Sequence, residues 1–371
     1  MNLNSLSLVN YRNFEDLQLE FSSKINCFIG KNGVGKTNIL DSIYYLSFCK
    51  SWLNPIDSQN INYNQEFFLI KGNYAFEEKN EDISCGLKRG KKKSFKRNNK
   101  EYSKLSDHIG LVPLVSVSPY DTNLILGGSE DRRKFIDIVI SQFDKDYLQN
   151  LLKYNRVLSQ RNHLLKQFAQ NHSYDRDSLE VWDDQLVSYG MIVYKKRVEF
   201  IEQLTPIFQS YYQFISSEKE TVQLNYRSQI SDAKFSELIK QSIEKDRIMQ
   251  YTSVGIHRDD LIFQLSDYPL KKNASQGQQK TYLIALKLAQ FDYIKNINDI
   301  KPILLFDDIF DKLDASRVEQ IIKLVADDHF GQIFITDTNK ERLDRILNKI
   351  GINYKLFKIN DEIVVSEKEF D

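Results

Sequence analysis

The sequence is short of the residues that build disulfide frameworks and metal clusters. Its three cysteines, Cys27, Cys49 and Cys85, form no close pair, which argues against a disulfide scaffold or a zinc ribbon. The five histidines show no metal-ligand spacing. A surplus of charge is missing too: 51 basic and 51 acidic residues give a formal net charge of zero. No global field draws the chain to nucleic acid, so any such binding must come from local patches. No run approaches the length of a membrane-spanning helix, and the opening MNLNSLSLVNYRNF lacks the charged-then-apolar order of a signal peptide. The expectation is a soluble, cytoplasmic protein with no membrane partner. Internal repeats and low-complexity tracts are absent as well.

What is present is concentrated in a few motifs on a chain of 371 residues, a length that suggests two structural units. Gly30-Lys31-Asn32-Gly33-Val34-Gly35-Lys36-Thr37 fits G-x-x-x-x-G-K-[ST], the phosphate loop of nucleoside triphosphatases. Its glycines allow successive N–H groups to turn inward around a polyphosphate. Lys36 supplies a cation for the β- and γ-phosphates, and the Thr37 hydroxyl can ligate Mg²⁺. Lys24 to Ile29 reads as an apolar strand before the loop. Ile39, Leu40, Ile43 and Tyr44 recur at helical spacing after it, so the loop opens a helix whose N-terminus favours an anion.

Leu3, Leu6 and Leu8, then Leu17, Leu19 and Phe21, alternate as strands ahead of the loop, and Phe67 to Asn73 and Ile83 to Leu87 continue in that character. Lys88 to Lys100 holds eight basic residues in thirteen, with Gly90 and Asn98-Asn99 as turn material. It reads as a hairpin tip that is either a solvated loop or a contact for DNA phosphates. Leu111 to Ser118 returns to strand. From Asp121 to Ile248 helical spacing dominates (Leu151, Leu152, Val157 and Leu158; Trp182, Leu186, Tyr189 and Val193). Pro206 and polar loops near His172 and Gln223 are expected to punctuate it.

Ile303 to Phe306 is a continuous apolar run, as expected of a parallel strand buried on both faces. It ends in Asp307-Asp308, about 270 residues after the phosphate loop. A carboxylate there organises Mg²⁺ and its water, and the next can orient or deprotonate an attacking water. A helix carrying Val318, Ile321, Ile322 and Leu324, then the strand Gln332 to Thr336, complete a βαβ unit. The fold class is therefore α/β around a largely parallel sheet. The expected domains are an ATPase part over 1–120, a mostly helical insertion over 121–248, and the ATPase remainder over 249–371. Ser275-Gln276-Gly277-Gln278, opening the apolar helix from Tyr282 to Ala289, is a second potential phosphate-binding terminus. In ATPases of the ABC type such a serine motif closes in trans on the nucleotide of a two-fold partner.

These motifs together resemble the RecF family, which is related to the ATPase heads of SMC-type proteins but lacks their long coiled coil. Ser275 to Lys280 with the helix after it, and Gly255 to Leu261 before it, carry the resemblance. So do Asn10 to Phe14, Gly35 to Asn38, Ser118 to Asp121, Gly127 with Gly128, Asp131 to Asp137, Pro302 to Asp314 and Thr336 to Thr338. It implies an ABC/SMC-type P-loop ATPase head with the helical domain inserted. The implied activity is ATP-dependent binding of DNA at gaps and single-strand/double-strand junctions. With RecO and RecR, such proteins help RecA loading, and slow hydrolysis releases an ATP-dependent homodimer.

By position, the resemblance implies that Gly30 to Asn38 hold ATP and that Thr37 and Asp307 hold Mg²⁺. Lys36, Asp307 and Asp308 would carry catalysis, Asp308 as the general base. Ser275, Gln276, Gly277 and Gln278 would meet the partner's γ-phosphate, Asp314 would lie at the dimer seam, and Arg12 is a further nucleotide candidate. Lys88, Arg89, Lys91, Lys92, Lys93, Lys96 and Arg97 become DNA contacts.

Some positions depart from the family pattern. Trp52-Leu53 stands where an arginine is usual, Asp311-Lys312 replaces Ser-Glu, and Asp337 interrupts Thr-Thr. Arg132, Arg133 and His257 to Asp260 are expected to form buried salt bridges between the two domains rather than to contact DNA. The competing readings are a nucleotide-gated protein scaffold, a transporter ATPase and a defence ATPase.

Overall fold

The alternation ahead of the phosphate loop folds as an antiparallel layer, and the continuous apolar runs fold as a parallel one. The computed structural model describes residues 1–77, 79–217, 220–231, 234–309, 315–326, 328–339, 353–360 and 363–368. Strands β1 (Asn2–Tyr11) and β2 (Phe14–Glu20) form a hairpin, and β3 (Ile25–Ile29) leads into the phosphate loop and helix α1 (Lys36–Phe48). Next come β4 (Phe67–Phe76), β5 (Lys79–Lys88), β6 (Ser94–Arg97), β7 (Lys100–Glu101) and β8 (Leu114–Val117). The first sheet has the order β2-β1-β4-β5-β6-β7. In β4 buried residues alternate with exposed ones, as one covered face requires.

The chain continues through α2 (Thr122–Leu126), α3 (Ser129–Ser141), α4 (Lys145–Gln170) and α5 (Arg176–Ser216). After these come β9 (Val222–Arg227), α6 (Phe235–Met249), β10 (Asp260–Leu265), β11 (Tyr268–Pro269) and the single turn α7 (Leu270–Asn273). Two expectations change here. Pro206 lies inside α5 rather than ending a helix, although an interior proline removes a backbone hydrogen bond. Gln223 sits in β9, not in a loop; β9 lies inside the region read as helical and joins β10 and β11, from the part expected to complete the ATPase, in the antiparallel sheet β11-β10-β9. Its polar alternation (VQLNYR, with Val222 and Leu224 buried) is too short to stand out beside the long helices.

The last part holds α8 (Gln276–Asn298), β12 (Ile303–Asp307), α9 (Ala315–Ala326), β13 (Ile333–Asp337), β14 (Tyr354–Ile359) and β15 (Ile363–Lys368). The second sheet runs β15-β14-β3-β13-β12-β8, with β14, β3, β13, β12 and β8 mutually parallel. Every residue of β3, β12 and β13 is buried, which is the pattern of strands covered on both faces. From Thr281 to Phe291 helix α8 is buried all round, so its sequence shows no amphipathic stripe. Phe28 stacks on Phe357 with centroids 4.9 Å apart, and Phe21 meets Phe334 edge-on at the same separation. Gln332 ties the layers together: its Oε1 accepts from the Leu3 N–H at 2.7 Å, and its Nε2 donates to the Leu3 and Ser22 carbonyls at 2.8 Å.

The chain divides into two compact units, one of Met1–Asp121, Phe214–Glu218 and Gln276–Asp371, the other of Thr122–Gln213 and Lys219–Ser275. The boundary expected at 248/249 falls instead at 275/276, because β10 pairs with β9 and draws residues 249–275 into the helix-rich unit.

Candidate nucleotide-binding site

Parallel strands place their carboxyl ends on one edge of a sheet, where ligands of open α/β folds bind. Here β3 ends in the phosphate loop, β12 ends in Asp307, and β13 lies between them with Thr336 in register with both Asp307 and Phe28. Two glycines make the loop possible. A Cβ on Gly30 would stand 2.4 Å from the Ile359 carbonyl oxygen. Gly35 has φ of 105°, and a Cβ there would meet the Asn13 amide at 2.5 Å. Asn13 braces the loop from outside: its Nδ2 donates to the Val34 carbonyl at 3.1 Å, and its Oδ1 accepts from Asn38 at 2.6 Å.

The Lys36 ammonium donates to the Gly30 and Lys31 carbonyls at 2.7 and 2.9 Å. It is thereby folded back over the loop that a triphosphate would fill. The Thr37 hydroxyl donates to the Asp307 carboxylate at 2.9 Å, and the Thr336 hydroxyl donates to Asp307 Oδ1 at 2.7 Å. Thr336 also accepts the Asp308 N–H at 2.9 Å. One hydroxyl thus fixes both acidic residues. Asp308 takes a left-handed backbone, φ 47°, which Asp tolerates better than most side chains.

Electrostatically the site is under-compensated. Burial lowers the Lys36 pKa, against the pull of Asp308, Asp307 and Asp337. Burial raises the Asp307 pKa, against the hydroxyls of Thr336 and Thr37. Hard oxygen donors of one carboxylate and one hydroxyl suit Mg²⁺, which keeps waters and phosphate oxygens for its other positions. Thr37 and Asp307 fit that ion. Among the described residues there is no cluster of three or more His, Cys, Asp or Glu to hold a metal by protein ligands alone.

The model of the RecF/RecN/SMC N terminal domain matches residues 2–360. The DNA replication and repair protein RecF of Bacteroides thetaiotaomicron is 56% identical over 365 residues, spanning 98% of each chain. This chain belongs to the RecF family. The RecF of Flavobacterium johnsoniae is 51% identical over 359 residues, 97% of this chain and 100% of its own. A solved structure described as the recombination mediator protein RecF with ATP in the RecFOR pathway superposes with a TM-score of 0.87 at 30% identity, over 99% of this chain and 97% of that one. An Smc head bound to the C-terminal winged-helix domain of ScpA, 14% identical with a TM-score of 0.61, shares the fold.

The remaining residues matched to RecF motifs fall in different places. Arg12 reaches Asp41 at 3.2 Å and Ser51 at 3.0 Å. Asp41 is fully buried one turn beyond Thr37 and also accepts the Tyr11 hydroxyl and the Trp52 N–H at 2.7 and 2.9 Å. This carboxylate went unnoticed in the sequence, where an aspartate in a helix reads as solvated. Ser275 and Gln276 are exposed where α8 begins, while Gly277 and Gln278 are half-buried. Asp314, with Asp311 and Lys312, lies outside the described residues.

In the basic hairpin Asn98 and Asn99 both have positive φ, the signature of the tight turn linking β6 to β7. Lys93 is spent structurally: its ammonium bonds Asp57 and the Cys49 carbonyl at 2.6 Å. Arg97 is clamped on Glu81, and Lys88 pairs with Glu66 at 3.0 Å. Lys96 is half-buried, whereas Arg89, Lys91 and Lys92 are exposed at the tip. The expected inter-domain salt bridges lie instead within the helix-rich unit. Arg132 binds Asp260 at 2.7 Å, Arg133 donates to the Asp259 carbonyl at 2.7 Å, and Arg197 pairs with Asp259 at 3.3 Å.

Proposed function

We propose that this protein is an ATP-switched DNA-repair mediator that binds gapped or junction DNA as an ATP-dependent dimer and releases it on slow hydrolysis. The observation that carries the reading is the meeting of Lys36, Thr37 and Asp307 at the carboxyl ends of β3 and β12. Membership of a family whose relatives are named for DNA replication and repair supports it. On binding, Lys36 exchanges two carbonyls for the β- and γ-phosphates, a stronger, charge-assisted contact. Thr37 and Asp307 would hold the Mg²⁺ that accompanies the nucleotide, which would supply charge neutralisation at the phosphates. Asp308 orients or deprotonates the attacking water. Its side chain is one methylene shorter than glutamate, which fits slow turnover. Ser275 to Gln278 would receive the γ-phosphate of the second subunit's ATP, with Asp314 at the seam. Arg89, Lys91 and Lys92 would touch DNA phosphates, and RecR- and RecO-like mediators would be protein partners.

The test is a titration of a gapped duplex with and without ATP and Mg²⁺, with mass followed by light scattering, on wild type and Lys36→Met. ATP-dependent dimerisation with tighter DNA binding, both lost in the variant, is the expected result. Dimerisation without DNA binding would replace this reading by the protein scaffold, with which zero net charge is compatible.

A further inference from the structure

The helix-rich unit carries a concavity of ≈ 520 Å³ between the end of β9, the last turn of α6 and the segment 251–258, and none of its lining residues belongs to the phosphate loop, the Asp307 strand or the Ser275 motif. Its rim holds three cations, Arg227, Lys245 and Arg258, and among the described residues no acidic side chain lines it. The acids beneath it are already engaged. Asp246 is bound by Arg161, Asp259 by Arg197, and Asp260 bidentately by Arg132. Arg227, 73% exposed, touches Asp260 only at 3.5 Å. The rim charge is therefore surplus. Arg258 is pre-set for a carboxylate: its guanidinium lies 5.0 Å from the Tyr251 ring centroid and donates to the Thr252 carbonyl at 3.2 Å. That holds the planar fork without side-chain freedom to lose.

The second feature is apolar. Met249 and Tyr251 line the concavity and both are exposed, and Ile248, next to Met249 in the chain, is 80% exposed. Methionine adapts to varied partners, and the volume suits one or two anchor side chains. A long polyanion fits poorly, because nucleic-acid affinity draws on an extended track of cations, whereas here three cations ring one concavity and the neighbouring Lys234 and Arg247 are paired with Glu237 and Glu244.

The geometry points to a docking site for a short acidic segment of a partner protein, its carboxylates on Arg227, Lys245 and Arg258 and an apolar anchor against Met249 and Tyr251. This goes beyond the nucleotide reading and does not depend on it.

The probe is a fluorescein-labelled twelve-residue peptide of alternating Asp and Glu with a central Leu-Phe, read by anisotropy on the full chain. Controls are the same peptide with Ser-Ser at the centre, its all-Lys counterpart and a twenty-residue oligothymidylate. Binding of the acidic, anchored peptide that weakens at least tenfold in Lys245→Glu and in Met249→Asp, and at least tenfold when the anchor is removed, is the expected result. Both substituted residues are exposed, and unchanged thermal melting and binding of a fluorescent ATP analogue establish that each variant is folded. Undiminished binding in the variants, no binding of the anchored peptide, or loss of oligothymidylate binding alone would each overturn the site.

Discussion

In the helix-rich unit, Arg161 is fully buried and holds Asp183 and Asp246 at 2.6 and 2.7 Å, while Arg197 reaches Asp137 at 2.8 Å and Asp259 at 3.3 Å. In the unit that carries the phosphate loop, Asp307 is as deeply buried, yet two hydroxyls are its bonded partners among the described residues, and Lys36 is bonded to carbonyls. The first arrangement closes its charges on one another. The second leaves a cation and a carboxylate that feel each other's charge without an ion pair between them, each short of its full complement. The difference separates scaffold from site: burial with a fixed counter-ion rigidifies, and burial without one is a standing demand for a ligand.

The comparison breaks most severely at Arg161. Arg161→Met leaves Asp246 and Asp183 buried without their cation, and should lower unfolding free energy by about 3–5 kcal/mol, measured by urea denaturation. Lys36→Met should do the reverse. ATP affinity falls on the order of 100-fold through loss of a charged hydrogen-bond donor, read with a fluorescent analogue, while the melting temperature stays within a few degrees. His257 sharpens the contrast by pH. Its Nε2 donates to the Thr252 carbonyl at 3.0 Å and its Nδ1 accepts from Tyr154 at 2.8 Å, and burial pushes its pKa down to about 4. The unfolded chain takes up a proton near pH 6.5 and the folded one does not. Stability from this group is therefore whole above pH 6.5 and lost as pH falls toward 4, by up to about 3 kcal/mol. His257→Gln should flatten that part of the profile. Smallest is the hairpin: Lys91→Ala and Lys92→Ala should each reduce the salt dependence of DNA binding by about one charge and leave ATP binding unchanged.

What was legible in the sequence follows the same division. Gly30 to Thr37 and Ile303 to Asp307 announce themselves because backbone conformation and two-sided burial restrict residue type at each position. The closed network was legible only as strings of charge: Arg132 and Asp260 are 128 residues apart, and nothing in either segment names the other. Thr336 and Asn13 lay inside quoted motifs, yet their work depends on β13 sitting between β3 and β12 and on the β1–β2 turn reaching the phosphate loop. Strand order is not written in any one segment. The sheet of β9, β10 and β11 was missed because its strands are short and flank helices with far stronger periodicity.

The most direct measurement compares thermal unfolding of wild type and Asp307→Asn, each with and without ATP and Mg²⁺. Burial raises the Asp307 pKa above the usual carboxylate value near 3.8, so ionisation costs the folded state stability as pH rises past that value. Without nucleotide at pH 7, Asp307→Asn should be the more stable protein, and the gap should vanish below pH 3.8. With ATP and Mg²⁺ the order should invert, because the wild type alone gains the full stabilisation of a bound ligand. An Asp307→Asn protein that is no more stable alone, and that gains as much from ATP and Mg²⁺ as the wild type, would contradict the account.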